Sequence, residues 1–152
     1  MTARFTRGQV EVIAGLARGR LAHEIAADLA ISPRTVHGRI LRAAARARIH
    51  GRPQPQLVDY AYRHGYLAHL TPEPRRAPAP ALPRRLEEAL DATARGLSLN
   101  EMADEMEVGR DTANTYRRRL YRLLGASTRA HAVALAWQAG LRRPAPSPRS
   151  SS

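Results

Sequence analysis

Gly19-Arg20-Leu21-Ala22-His23-Glu24-Ile25-Ala26 returns 77 positions later as Gly96-Leu97-Ser98-Leu99-Asn100-Glu101-Met102-Ala103. The repeat extends outward: Leu29 matches Met106, Ile31 matches Val108, Thr35-Val36 matches Thr112-Ala113, and Arg42 matches Arg119. Apolar spacing and one small residue are kept while most of the surface changes, the pattern of a duplicated fold unit. The unit reads as a helix-turn-helix. A small residue, Ala26 or Ala103, lets a second helix approach the first, and Leu29 with Ile31, or Met106 with Val108, fills the space at the turn. Two such units predict two DNA-binding modules in one chain.

Each unit is flanked by further helical signals. Thr6 and Gln9 fit a capping box, after which Val10, Ile13, Ala14 and Ala17 share a face and Gly19 ends the helix. Ala22 to Leu29 makes a second helix, and Ser32-Pro33 opens a third with Ser at N-cap and Pro at N1. A fourth is expected from about Gln56 to His64. The order repeats over Arg84 to Ala94, Leu99 to Met106, Arg110 to Leu124 and about Arg129 to Ala139, with Ser98 and Glu101 as a second capping box. No segment alternates with period two, so the chain is expected to be all-α. The expected division is a first four-helix module over residues 1–70, a Pro/Ala-rich linker over 71–83, a second module over 84–141 and a disordered Arg/Pro/Ser tail over 142–152. Proline as dense as in 71–83 favours an extended, semi-rigid spacer.

The net charge is +12, and all 25 basic residues are arginine. A G+C-rich genome accounts for much of this bias, yet guanidinium groups pair with phosphates whatever put them there. There is no cysteine, which excludes disulfides and cysteine-ligated zinc. No apolar run is long enough for a membrane span and Met1-Thr2-Ala3-Arg4-Phe5-Thr6 has no signal-peptide character, so no membrane partner and a cytoplasmic location are expected.

Phe5-Thr6-Arg7, Glu24-Ile25-Ala26, Leu29, Ile31-Ser32-Pro33-Arg34-Thr35-Val36 and Leu57-Val58 through Ala61-Tyr62-Arg63-His64-Gly65-Tyr66-Leu67 resemble the LuxR-type (GerE-like) DNA-binding domain. The second unit is similar over Leu82 to Leu141, including Thr112-Ala113, Leu120, Leu123-Leu124-Gly125-Ala126-Ser127-Thr128-Arg129-Ala130 and Val133, Ala136, Trp137, Gly140, Leu141. The resemblance implies a bacterial transcription regulator with two tandem four-helix modules binding double-stranded DNA. The third helix of each would enter the major groove, and the fourth would pair with that of a second copy. By position it implies base reading by His37, Gly38 and Leu41 in the first unit and by Asn114, Thr115 and Arg118 in the second. The second set is chemically richer, since Arg118 suits a guanine edge and Asn114 an adenine edge. Phosphate contacts are expected from Arg34, Thr35, Arg39, Arg42, Arg110, Thr112, Arg119 and Arg122. The first unit would anchor mainly through the DNA backbone.

Departures from that family are visible. Gln9 replaces a glutamate, Asp111 stands where Arg34 stands in the first unit, and the first unit gains two residues before its fourth helix. Ala30 and Glu107 occupy the turn position where glycine is common. A left-handed conformation there costs each roughly 1–2 kcal/mol. Tyr62 and Trp137 are expected either to close their own bundles or to cover a pairing of the two fourth helices, within the chain or between chains.

Enzymatic frames are missing. Ala27 breaks any zinc-protease reading of His23-Glu24, the six histidines are scattered, and no P-loop exists. Tyr116 and Tyr121 near arginines lack a recombinase context. No catalytic residue, metal or cofactor is expected. The leading reading is a sequence-specific regulator bound to two half-sites. The alternatives are an adaptor like region 4 of a sigma factor docking on RNA polymerase or a regulator, and nonspecific nucleic-acid coating.

Overall fold

The computed structural model describes residues 4–75 and 81–144. Among these residues the protein is all-helical, with no strand. Helices α1 (Arg7–Ala17), α2 (Ala22–Leu29), α3 (Pro33–Arg46) and α4 (Pro53–Arg63) form the first half. Helices α5 (Arg84–Ala94), α6 (Leu99–Met106), α7 (Arg110–Leu124) and α8 (Arg129–Gln138) form the second.

The boundaries follow local chemistry. Thr6 and Gln9 exchange hydrogen bonds as a complete capping box (3.1 and 2.9 Å), and Ser98 and Glu101 do the same. Ser32 caps α3 through Thr35 N–H at 3.0 Å, and Thr128 caps α8 through His131 N–H at 3.0 Å. The fourth helix begins at Pro53, earlier than Gln56, because Pro53 takes the N1 position after Arg52, where its missing N–H costs nothing. The inward face of α1 is Val12, Ile13, Leu16 and Ala17, while Val10 and Ala14 are only partly covered. The helix is covered on a wider side than the expected stripe because α3, α4 and α8 all pack on it.

Both short turns are left-handed at a residue with a side chain: Ala30 at φ 55°, ψ 43° and Glu107 at φ 56°, ψ 44°. The Ile31 and Val108 N–H groups then reach back to the carbonyls of Ala26 and Ala103, both at 3.0 Å, the closure of a helix end by a left-handed residue. Ala30→Gly and Glu107→Gly are each expected to stabilise the fold by roughly 0.5–1 kcal/mol, the relieved strain less the entropy glycine adds to the unfolded chain. Thermal melting should show this as a rise of about 2 °C per substitution.

The halves are not independent bodies. One core cluster joins Val12, Ile13, Leu16, Ile25, Val36, Ile40, Leu57 and Val58 of the first half to Ala94, Ala130, Val133 and Ala134 of the second. The other is built from Leu86, Leu90, Met102, Met106, Leu120 and Leu124 with Ala132, Leu135 and Ala136. Helix α8 therefore feeds both cores, and every residue from Ala130 to Ala136 is buried. A helix with almost no polar stripe has to be covered on all sides.

The most extensive helix–helix contact is α4 against α8. Tyr62 and Trp137 stack at their C-terminal ends with centroids 6.0 Å apart and planes 8° from parallel. Their N-terminal ends line one cavity, so the two helices run parallel. The contacts repeat with approximate two-fold symmetry. The Arg63 guanidinium lies over the Trp137 ring at 5.7 Å, and in the matching place the Gln138 amide donates to the Tyr62 hydroxyl at 2.8 Å. Gly19 (φ 79°) sits against Ser127 and His131, and Gly96 (φ 77°) against Arg52 and Gln56. A methyl group at Gly96 would stand 2.9 Å from the Arg52 carbonyl oxygen, so the halves could not approach this closely. Equivalent surfaces meeting in this way are the signature of an isologous interface, here closed within one chain.

The first part of the expected Pro/Ala-rich linker lies against both halves. Arg18 donates to the Thr71 carbonyl at 2.6 Å, the Glu73 N–H donates to Gln138 at 2.9 Å, and the Glu73 carboxylate accepts from His131 Nε2 at 3.0 Å. Residues 71–75 thus lie bound across α1 and α8, because their backbone finds polar partners there. Residues 76–80 of the expected linker lie outside the described residues. The expected disordered tail also starts too early at Arg142, whose guanidinium is held by Asp59 and by Asp91. The rest of that tail, from 145 onward, lies outside the described residues.

Candidate nucleic-acid interface

Helix α3 carries Arg34, Arg39, Arg42 and Arg46 with no acid, and α7 carries Arg110, Arg117, Arg118, Arg119 and Arg122 against the single Asp111. Val36, Ile40 and Ala43 anchor the inner side of α3, and Ala113, Leu120 and Leu124 that of α7. Helical periodicity therefore turns the polar residues between them outward. Arg34, His37, Leu41 and Arg42 of α3 are exposed, as are Arg110, Thr112, Thr115, Arg118, Arg119 and Arg122 of α7. Among the described residues, no carboxylate pairs with the guanidinium groups of Arg34, Arg42, Arg110, Arg118, Arg119 or Arg122.

Acids instead gather on other elements. Glu24 and Asp28 of α2 hold Arg20 at 3.2 and 2.9 Å, Glu88 holds Arg84 and Arg85, and Asp91 holds Arg95 at 2.8 Å. The segregation leaves two helix faces with surplus positive charge, which concentrates anions at those faces. Glu101, Asp104, Glu105 and Glu107 make α6 and its turn acidic, so the second half carries both signs side by side.

Individual residues depart from the expected outward array. Arg39 is half-buried: its guanidinium lies along α1, 3.0 Å from where a methyl group at Gly8 would sit. It therefore does not stand outward with Arg34 and Arg42. Gly38 is half-buried as well, and Arg42 lies over it, 3.2 Å from the position of the missing Cβ. The glycine contributes space for that arginine in place of a contact of its own. Thr35 belongs to the cap of α3, its hydroxyl 2.9 Å from that of Ser32. Thr115 donates its hydroxyl to the Asp111 carbonyl at 3.1 Å and keeps only acceptor capacity.

Arg117 was not among the expected site residues. It is half-buried and donates to Asn114 Oδ1 at 2.8 Å, which fixes the amide and leaves its NH₂ group as a donor. The three-residue spacing on a helix is the signal that points to this pair. Gly109 has no side chain to cap α7, so the first N–H groups of that helix remain open, a favourable place for an anion.

Leu41 is 52% exposed and lines a groove of about 650 Å³ with Ala44, Ala45 and Ile49. Arg118 stands at its place in the second half. The two faces are alike in backbone and different in chemistry. No described helix is long and apolar enough to cross a membrane. No protein-family model matches the chain, and no curated protein or solved structure matches it either.

Proposed function

We propose that the chain is a sequence-specific DNA-binding transcription regulator, with α2–α3 and α6–α7 acting as two LuxR-like helix-turn-helix modules. The observation that carries this reading is the unpaired guanidinium face on both α3 and α7, each helix locked to its shorter neighbour through a left-handed turn. The α4–α8 pairing makes the chain a covalent pseudo-dimer, doing within one molecule what two copies would otherwise do. A two-fold relation between the modules calls for half-sites in opposite orientation, with centres about 34–36 Å apart. Since Leu41 and His37 face one half-site, with Gly38 only making room for Arg42, and Arg118, Thr115 and Asn114 face the other, the operator is an imperfect palindrome. The second half-site is read by a bidentate Arg118 contact and a single donor from Asn114, and the first chiefly by phosphate contacts and an apolar touch on a thymine methyl.

Selection of random duplex DNA with the purified chain tests this. Recovery of unrelated sequences with no common half-site would overturn it in favour of nonspecific coating. Within a selected operator, Arg118→Ala is expected to weaken binding by about 1–3 kcal/mol and to relax preference at one base pair. Arg122→Ala should weaken all sequences alike and lower the salt slope by about one unit.

A second reading, docking on RNA polymerase or a regulator, is favoured by the apolar groove beside Leu41. Salt separates the two: DNA binding through about six phosphates falls steeply as salt rises, and an apolar contact does not.

A further inference from the structure

The N-terminal ends of α4 and α8 meet around a cavity of about 320 Å³ on the pseudo-two-fold axis, lined by Arg52, Pro53, Gln54 and Pro55 on one side and Thr128, Arg129 and Ala130 on the other. Among the described residues, neither Arg52 nor Arg129 has a carboxylate within ion-pair distance; exposed Glu101 lies only within longer electrostatic reach of Arg52. Arg129 is half-buried, and burial holds its guanidinium below the ordinary arginine range. The neighbouring Tyr121 pulls the other way, and Arg52 and Arg117 add to the depression. The buried Tyr121 hydroxyl, outside the cavity lining, has the Arg129 guanidinium as its polar neighbour. In the first turn of α8, the N–H groups of Arg129 and Ala130 have no intrahelical acceptor.

Two arginines and the open backbone donors of α8 meet at one cavity, an arrangement that suits an anion. We propose that this cavity is a phosphate-binding site between the two halves, with Arg52 and Arg129 as its charged walls. A phosphoryl group offers oxygens to both guanidinium forks and to the α8 N–H groups at once. The site stands whether or not α3 and α7 read DNA. The phosphate comes either from a DNA backbone crossing the axis or from a free phosphorylated compound.

The test is melting of the full chain in inorganic phosphate and in chloride at equal ionic strength and pH. Phosphate at about ten times its dissociation constant is expected to raise the melting temperature by roughly 3–6 °C. Arg52→Gln with Arg129→Gln should abolish that rise while leaving the melting temperature in chloride unchanged or higher, since two mutually repelling cations are gone. Arg7→Gln with Arg84→Gln, which alters exposed arginines elsewhere, should keep the rise. No phosphate-specific rise, or an equal rise in the Arg52/Arg129 double variant, would overturn the proposal. The source is separated by DNA titration. A backbone phosphate predicts a smaller salt slope for the double variant, by one or two units. A free phosphate predicts an unchanged slope, with inorganic phosphate and pyrophosphate still stabilising the wild-type chain.

Discussion

Asp59→Ala is expected to destabilise the protein by about 3–5 kcal/mol, the cost of leaving a buried cation without its partner. Asp59 is 8% exposed, at the centre of the contact between halves. It accepts from Trp137 Nε1 at 2.8 Å, is paired with Arg63 at 3.3 Å and holds the Arg142 guanidinium. Arg142 reaches on to Asp91 of α5 at 3.3 Å, so one carboxylate ties α4, α5, α8 and the chain beyond α8. Melting should fall by roughly 10 °C. A loss below about 1 kcal/mol would mean that the apolar contact alone holds the halves together.

The same group sets an acid limit. Burial alone would raise the Asp59 pKa, but Arg142, Trp137 and Arg63 together hold it below the ordinary value of 3.8. Its contribution is therefore fully present above that value and is lost as pH falls through the lower folded one. Unfolding followed between pH 5 and pH 2 should be less steep for Asp59→Ala than for the wild type.

The second large effect concerns spacing. Separating the half-sites of a selected operator by about five further base pairs turns one by half a helical turn relative to the other. A rigid pair of modules then reaches only one, and affinity is expected to fall at least about 100-fold, the gain that linkage otherwise supplies. Retained affinity would mean that α4 and α8 separate on DNA and that the modules act on a loose tether. Isolated halves are a poor test of the same point, because Val133 and Ala134 complete the core of the first half and would be missing from it.

Much of the local structure is legible in the residues. Capping pairs, the Ser-Pro start of α3 and the glycine stops act over three or four positions, and the helices they delimit follow the expected order. The left-handed turns at Ala30 and Glu107 were legible as positions of strain, since the family resemblance puts glycine at that turn position. Outward exposure of Arg34, Arg42, Arg118 and Arg119 follows from the apolar spacing on α3 and α7. The inward lie of Arg39 and the support that Gly38 gives to Arg42 were not legible. They depend on how closely α1 passes and on where a long side chain finds room.

By itself, then, the chain determines the eight helices of the described residues, their order and a duplicated sequence unit, because propensity, capping and periodicity are short-range effects. One further signal was present and is easy to misread: Ala130 to Ala136 leaves no face for water, which says that α8 is enclosed but not by what. Tertiary structure alone decided that its cover is α4 and the first-half core, that residues 71–75 lie bound to the surface, and that Arg142 closes on Asp59. Those contacts join residues more than 50 positions apart. Their formation depends on the shape of two packed halves, which no local pattern encodes.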